Sequence, residues 1–462
     1  MAQAVKIAIG AALLLALWGL EAGPGLALAK KAAPAPAAKV LEQPAPSPVK
    51  EPAQPPQPRV LEVCNPAGVR ENGSFVDMSL RRVMDSIGKK EPPLAGQFPE
   101  TDVEKIPVTE NADAEINELF LKRGWTDGLP IIIPTRERVL AMLKGSRLDR
   151  SYEVATLAPM DGIATVEKIA VNAVMAGCRP EHMPILIAAV QAIADPDFDL
   201  RGLATTTSPD VPCIIITGPI AKEIGLNTGT NVMGRGNRGN AAIGRALILL
   251  VNNVGGSWPG VTDMSSLGSP AEHGMLVVEN PDENPWPSLN VDLGLAPDAN
   301  AVTVMGAEGW RGVIATGWDS AGVMRLMGAH MRGLAVQRPR WKTVLLIIPG
   351  DTAYQLSRAG YSKERIREEL GRQNPIPREE FKAWFVNETW AEAARKTLDE
   401  TPANEPVHAP AIDQFLILYA GGPGMKNMIV PGWFGAKKAV TREIVLPLNW
   451  SELVAAAKEA AR

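Results

Sequence analysis

The chain has 462 residues, 46% apolar and 21% charged, with a formal net charge of −4 at neutral pH. That is an ordinary globular composition, long enough for two or three domains. It argues against nucleic acid as a partner, because phosphate binding needs a basic face. Three cysteines are too few for a disulfide scaffold, and four scattered histidines without HExxH argue against a zinc site built from His and Cys, leaving a carboxylate-bound metal open.

Residues 1–29 read as a secretory signal peptide. Lys6 supplies a basic start, Ile7 to Leu20 is an apolar run, and Ala27-Leu28-Ala29 offers a small-x-small cleavage site. The run is short beside the roughly 20 residues that span a bilayer. Cleavage is expected after Ala29, giving a periplasmic or secreted protein with no membrane span; an uncleaved anchor is the alternative. Residues 30–59 form a Pro/Ala-rich linker, whose proline density favours extended geometry and a spacing role. Residues 60–123 read as a wrapping arm, with a short helix at Met78–Ile87.

A main α/β domain is predicted over residues 124–339. Ile131-Ile-Ile133 reads as a buried strand, and Thr135 opens a helix through Leu143. Val154–Leu157 is a strand, and Thr165–Ala176 and Pro184–Ala194 form a helical pair. Gly202–Thr207 and Cys213–Thr217 read as strands, and a long helix runs from about Asn240 to Asn252. A second α/β lobe is predicted over residues 340–462. It holds strands at Lys342–Ile348 and Gln414–Tyr419, and helices at Thr352–Arg358 and after Ser362. The alternation implies α/β lobes with mostly parallel sheets flanked by helices and a ligand cleft between them.

The densest polar segment is Asn227–Asn240. Its glycines permit close backbone approach, Arg235 and Arg238 bring forked donors, Asn237 is a further ligand contact, and Asn240 caps the helix that follows. Together they suit a small anionic molecule. Gly234–Gly239 formally matches GxGxxG, but the glycines stand too far from the preceding strand for a dinucleotide loop, with Asp263 only loosely placed as the ribose acid. Thr205, Thr206, Thr207 and Ser208 offer hydroxyls at a predicted strand end, as ligand contacts or as turn caps. Gly422 and Gly424, in Gly421-Gly-Pro-Gly424 after a buried strand, make a second ligand loop.

For acid–base work the candidates are Asp161, Glu167 and Lys168, the last two on a helix face that either meets a cleft or is solvated. Asp127, in an Asp-Gly turn, and His273, in a loop, are further candidates. Cys178 and Cys213 read as buried and inert, and one disulfide among Cys64, Cys178 and Cys213 stays open. No cofactor is specified. The eleven tryptophans could line a pocket or a homo-oligomer face.

Four blocks carry a resemblance: Gly124-Trp-Thr-Asp-Gly-Leu-Pro130, Ala170–Pro180, Gly236–Arg245 and Tyr419–Gly424. The set resembles a poorly characterised bacterial family that looks like the partner of small UGSC- or CGSC-motif proteins, which are selenol or thiol proteins. The resemblance implies one catalytic or ligand-binding scaffold over about Gly124–Pro447, a thiol or selenol protein as partner, and by analogy reductive cleavage of a small substrate. The expectation is an exported enzyme acting on a small polar, anionic substrate. The alternative is a non-catalytic periplasmic binding or assembly protein tethered by the Pro-rich linker.

Overall fold

The computed structural model describes residues 59–67, 103–335, 343–372, 375–385, 391–408 and 414–460. The signal segment, most of the linker and the helix expected at Met78–Ile87 lie outside the described residues.

The arm begins with β1 (Arg59–Cys64), which pairs antiparallel with β2 (Val103–Val108), followed by α1 (Ala112–Lys122). It is bound to the body by buried hydrogen bonds. The Cys64 amide donates to the Pro134 carbonyl (2.9 Å). Lys168 Nζ donates to the Asn65 carbonyl (2.7 Å), and Asn172 Nδ2 to that of Pro66 (3.2 Å). Ile131–Ile133, expected as a strand, is irregular chain; its isoleucines 131 and 133 are buried, but only Thr135 makes a bridge, to Val63.

α2 (Arg136–Leu143) is capped by Thr135, whose hydroxyl accepts from the Arg138 amide. The hairpin β3 (Glu153–Leu157) and β4 (Gly162–Thr165) leads into α3 (Val166–Ala176), capped by Thr165 and ended by left-handed Gly177. α4 (Met183–Ile193) is apolar on nearly every face and buried. Gly202–Thr207, expected as a strand, forms none: its first two residues end the short helix α5 (Leu200–Leu203), capped by Asp199, and the rest is turn and irregular chain.

Two four-stranded sheets follow. β5 (Val211–Thr217), α6 (Ile220–Glu223), α7 (Arg238–Asn253), β6 (Met275–Val278), α8 (Leu289–Asp292) and β7 (Ala301–Ala307) come first. Then come β8 (Arg311–Ile314), α9 (Ser320–Ala335), β9 (Thr343–Ile348), α10 (Gly350–Arg358) and α11 (Lys363–Arg372). A small annex of β10 (Pro375–Ile376), α12 (Arg378–Phe385), α13 (Ala391–Glu400) and β11 (Val407–His408) buries Phe381 and Leu398. The chain closes with β12 (Gln414–Tyr419), β13 (Lys426–Pro431), β14 (Val440–Glu443) and α14 (Trp450–Glu459).

The strand orders are β6-β5-β7-β14 and β12-β9-β13-β8. In each, the outer pair (β5 with β6, β9 with β12) is parallel and the two other pairings are antiparallel. The sheets are therefore mixed rather than mostly parallel. The apolar runs of β5 and β9 report burial on both faces, which helices achieve here whatever the direction of the neighbouring strand.

The two orders are the same order. Each half supplies three strands to its own sheet and a fourth to the other: β8 leaves the first half for the second sheet, and β14 returns to the first. A short signature marks both crossings, Gly309-Trp310-Arg311-Gly312 and Gly432-Trp433-Phe434-Gly435. The crossing segments pair with each other, the Glu308 amide donating to the Pro431 carbonyl (3.1 Å) and the Trp433 amide to that of Gly306 (2.9 Å).

Candidate functional site

None of the predicted catalytic trio lines a cavity described below. Asp161 sits in the β3–β4 turn with φ of 55° and takes a bidentate contact from Arg201 (2.6 and 2.8 Å). Glu167 pairs with Arg150 (2.5 Å). Lys168 is buried and holds the arm. All three side chains are engaged in structural contacts, and Asn172, on the same face, joins Lys168 in holding that arm.

The hydroxyl run lies before β5, at its amino end, because the segment ahead of it is helical. There the Thr205 hydroxyl donates to the Arg201 carbonyl (2.9 Å), Thr206 Oγ1 accepts from the Ser208 amide (3.2 Å), and the Thr207 carbonyl accepts from Ser266 (2.9 Å).

In the polar loop, Asn237 rather than Asn240 caps α7, accepting from the Asn240 amide (3.0 Å). Buried Asn240 instead pins the loop, accepting from the Asn227 amide and donating to the Asn227 and Val232 carbonyls. Arg238 Nε donates to the Gly177 carbonyl at the end of α3 (3.0 Å), while Arg235 is exposed. The loop does meet the second predicted loop: the Gly421 amide donates to the Thr228 carbonyl (2.9 Å), and Gly422 lies so close to Thr230 that a Cβ would stand 2.0 Å from its hydroxyl.

The chemistry gathers elsewhere. A cavity of about 380 Å³ opens at the amino end of β5, between the Gly124–Gly128 loop, the end of α7, and the segment Ser257–His273. Asp127, Asp210, Asp263, Glu272 and His273 line it, with Trp258 on its wall. Asp127 is held from α7 by Arg245, Nε to Oδ2 and Nη2 to Oδ1, both at 2.7 Å. This fork-on-fork pair fixes the carboxylate in one orientation. His273 Nδ1 stands 4.0 Å from Asp127 Oδ2, with the imidazole half exposed at the mouth.

Burial pushes the Asp263 carboxyl above the usual range, against a hydrogen bond from the Ser265 amide (2.9 Å). Burial does the same to Glu272, and the nearby Asp263 charge adds to it. Two carboxyls that hold protons more tightly than usual therefore share a cavity with a carboxylate that is clamped by a guanidinium. That is the arrangement from which general acids are drawn. Among the described residues no three His, Cys, Asp or Glu side chains are placed to hold a metal ion.

Other nucleophile candidates are silent. The three cysteines are free and buried, and burial pushes up all three thiols, Cys64 to about 11 and Cys213 to about 12. Buried His182 is pushed down to about 3 by burial and by Arg179 and Arg238, and its Nδ1 accepts from the Arg179 amide.

Sequence reading named Asp127 and His273, gave Asp263 a different role, and missed Asp210, Arg245 and Glu272. Arg245 had a signal: it is a lone cation among Ala242, Ile243, Ala246 and Leu247 of a helix. The Asp127–Arg245 pair also joins two of the four blocks quoted above. Comparison with protein-family models finds no match, and comparison with curated proteins finds none either.

Proposed function

We propose that the chain is an exported acid–base enzyme acting on a small polar molecule in the cavity around Asp127. Asp263 or Glu272 serves as general acid, Arg245 orients Asp127 toward the substrate, and His273 relays protons at the mouth. The observation that carries this reading is the pair of carboxyls raised by burial beside the arginine-held carboxylate. Four carboxyl groups against one guanidinium and one imidazole favour a donor-rich or cationic substrate, such as a polyol or an amine. An anionic substrate, the expectation from Arg235 and Arg238, would bind outside this cavity.

Export rests on the pattern of residues 1–29, with the Pro-rich segment as a tether. A thiol or selenol protein as partner, and reductive cleavage as the reaction, are supported by the resemblance of the four blocks alone. The alternative is a periplasmic binding or assembly protein that uses the same cavity without turnover.

The test is a panel of polyols, amines, amino sugars, carboxylates and thiols incubated with residues 30–462, followed by NMR for turnover and thermal unfolding for binding. A ligand at 100 times its Kd adds about 2.7 kcal/mol of stability, a readable shift. For a turned-over hit, Glu272→Gln or Asp263→Asn should cut kcat about 10²-fold or more. Turnover undiminished in both variants would sink the mechanism. Binding without turnover would favour the binding-protein alternative.

A further inference from the structure

The turn Pro270–His273 has two sides. Glu272 and His273 line the acid–base cavity, while Pro270 and Ala271 line a second and larger one of about 890 Å³. Nothing in the acid–base reading uses this second space. It lies outside the carboxyl ends of the parallel pair β9 and β12, where Pro349 and Ala420–Gly424 leave their strands. Mixed α/β sheets commonly bind ligands at that end. Its volume falls within the roughly 300–1,000 Å³ of small-molecule sites.

The lining has a definite chemistry. Met233, Met275, Met425 and Met428 supply flexible, polarisable thioethers, which mould to flat or irregular apolar bodies. Trp310, 48% exposed, stands beside them as a stacking surface. Lys426 is the only charged residue among the described lining residues, and it is exposed. The glycine loop keeps the space open: Gly422 is seated on Thr230, and a Cβ on Gly424 would meet no atom within 4 Å.

We propose that this cavity is a second ligand site, for a small molecule with an aromatic or apolar body and a single anionic group. The methionines and Trp310 hold the body, and Lys426 holds the anion at the mouth. The inference is independent of the acid–base reading and does not share its catalytic groups.

Two fluorescent probes test it on residues 30–462: 8-anilinonaphthalene-1-sulfonate, with one anionic group, and the uncharged N-phenyl-1-naphthylamine. Both should bind at one per chain. Lys426→Glu should weaken the sulfonate about tenfold, as expected for reversing a nearby charge in a partly solvated site, and leave the uncharged probe within about twofold. Thr316→Trp, at an exposed lining position, should weaken both about tenfold by blocking the space. The unfolding midpoints of both variants, compared with the parent, exclude misfolding as the cause. Loss of neither probe in Thr316→Trp would overturn the site. Equal sensitivity of the two probes to Lys426→Glu would overturn the anionic class.

Discussion

The two sheets have one topology and opposite chemistry at the same place. At the carboxyl ends of β5 and β6, the first residue after the strand is Glu279, whose amide donates to the Ile216 carbonyl (2.9 Å). At the carboxyl ends of β9 and β12, the same position is Ala420, whose amide donates to that of Ile348 (3.3 Å). The first of these ends opens into a cavity of about 610 Å³ lined by Lys222, Glu279, Asp282, Asp298 and Lys458. The second opens into the methionine- and glycine-lined space of about 890 Å³. Topology sets where a cavity forms, and the few residues leaving each strand set what it can hold.

The crossing signatures give the strongest way to break this comparison. Trp433 is buried, and a Cβ on Gly202, Gly306 or Gly435 would stand within 3.0 Å of it, so the chain is built around this indole. Its counterpart Trp310 is half exposed. Trp433→Ala should cost about 3–5 kcal/mol, and Trp310→Ala under about 1 kcal/mol, in urea unfolding. Equal losses would mean that the two crossings are used alike.

Glu279 offers the next effect. It is buried, accepts from the Leu289 amide (2.8 Å) and Asn284 Nδ2 (3.4 Å), and burial pushes its carboxyl up to about 7. Lys363, which also pairs with Asp292, opposes the rise, and the Asp292 charge adds to it. Because the folded carboxyl titrates above an unfolded one, its contribution is full below about pH 4.5 and is lost as pH rises through about 7. Between pH 4 and pH 8 the parent should lose about 3 kcal/mol relative to Glu279→Gln, since each tenfold difference in proton affinity between the folded and unfolded chain is worth roughly 1.4 kcal/mol. Parallel pH profiles would show that the Glu279 carboxyl has the same proton affinity in the folded and the unfolded chain. The alanine-bearing counterpart predicts no such window for the second sheet.

Gly422→Ala probes the second sheet directly. Its Cβ would meet Thr230 backbone as well as the hydroxyl, so the two ligand loops must part, at about 1–3 kcal/mol in urea unfolding. A neutral result would mean that the loop contact is not rigid. The smallest effect is expected for Arg235→Ala, which should change stability by less than about 0.5 kcal/mol because the side chain is exposed. If the same variant abolished binding of a carboxylate or phosphate in the ligand panel, the anion reading of that loop would gain support.

Local signals were legible where the chain's neighbours in sequence are also its neighbours in space. Thr135, Thr165 and Ser362 cap helices as their spacing indicates, and the apolar runs of β5, β9 and β12 are strands. What was not legible depends on partners far along the chain. Glu167 and Lys168 looked like an acid–base pair on a helix face, yet each is taken by a group remote in sequence, Arg150 or the arm at Asn65. Asp127 resembles a turn residue until Arg245, well over a hundred positions on, is found gripping it. The shared strand order leaves little trace in sequence beyond two short Gly-Trp-x-Gly segments. β6, β8 and β14 are each only four residues long, too short for periodicity to announce them.

The exchange of β8 and β14 has a mechanical consequence. A hinge needs two bodies joined by a few residues that can absorb a rotation. Here each sheet carries, as its last hydrogen-bonded strand, a piece of the opposite half, so swinging the sheets apart would peel both strands at once. The two halves are laced together, so neither sheet can swing away from the other without unpairing a strand of its own.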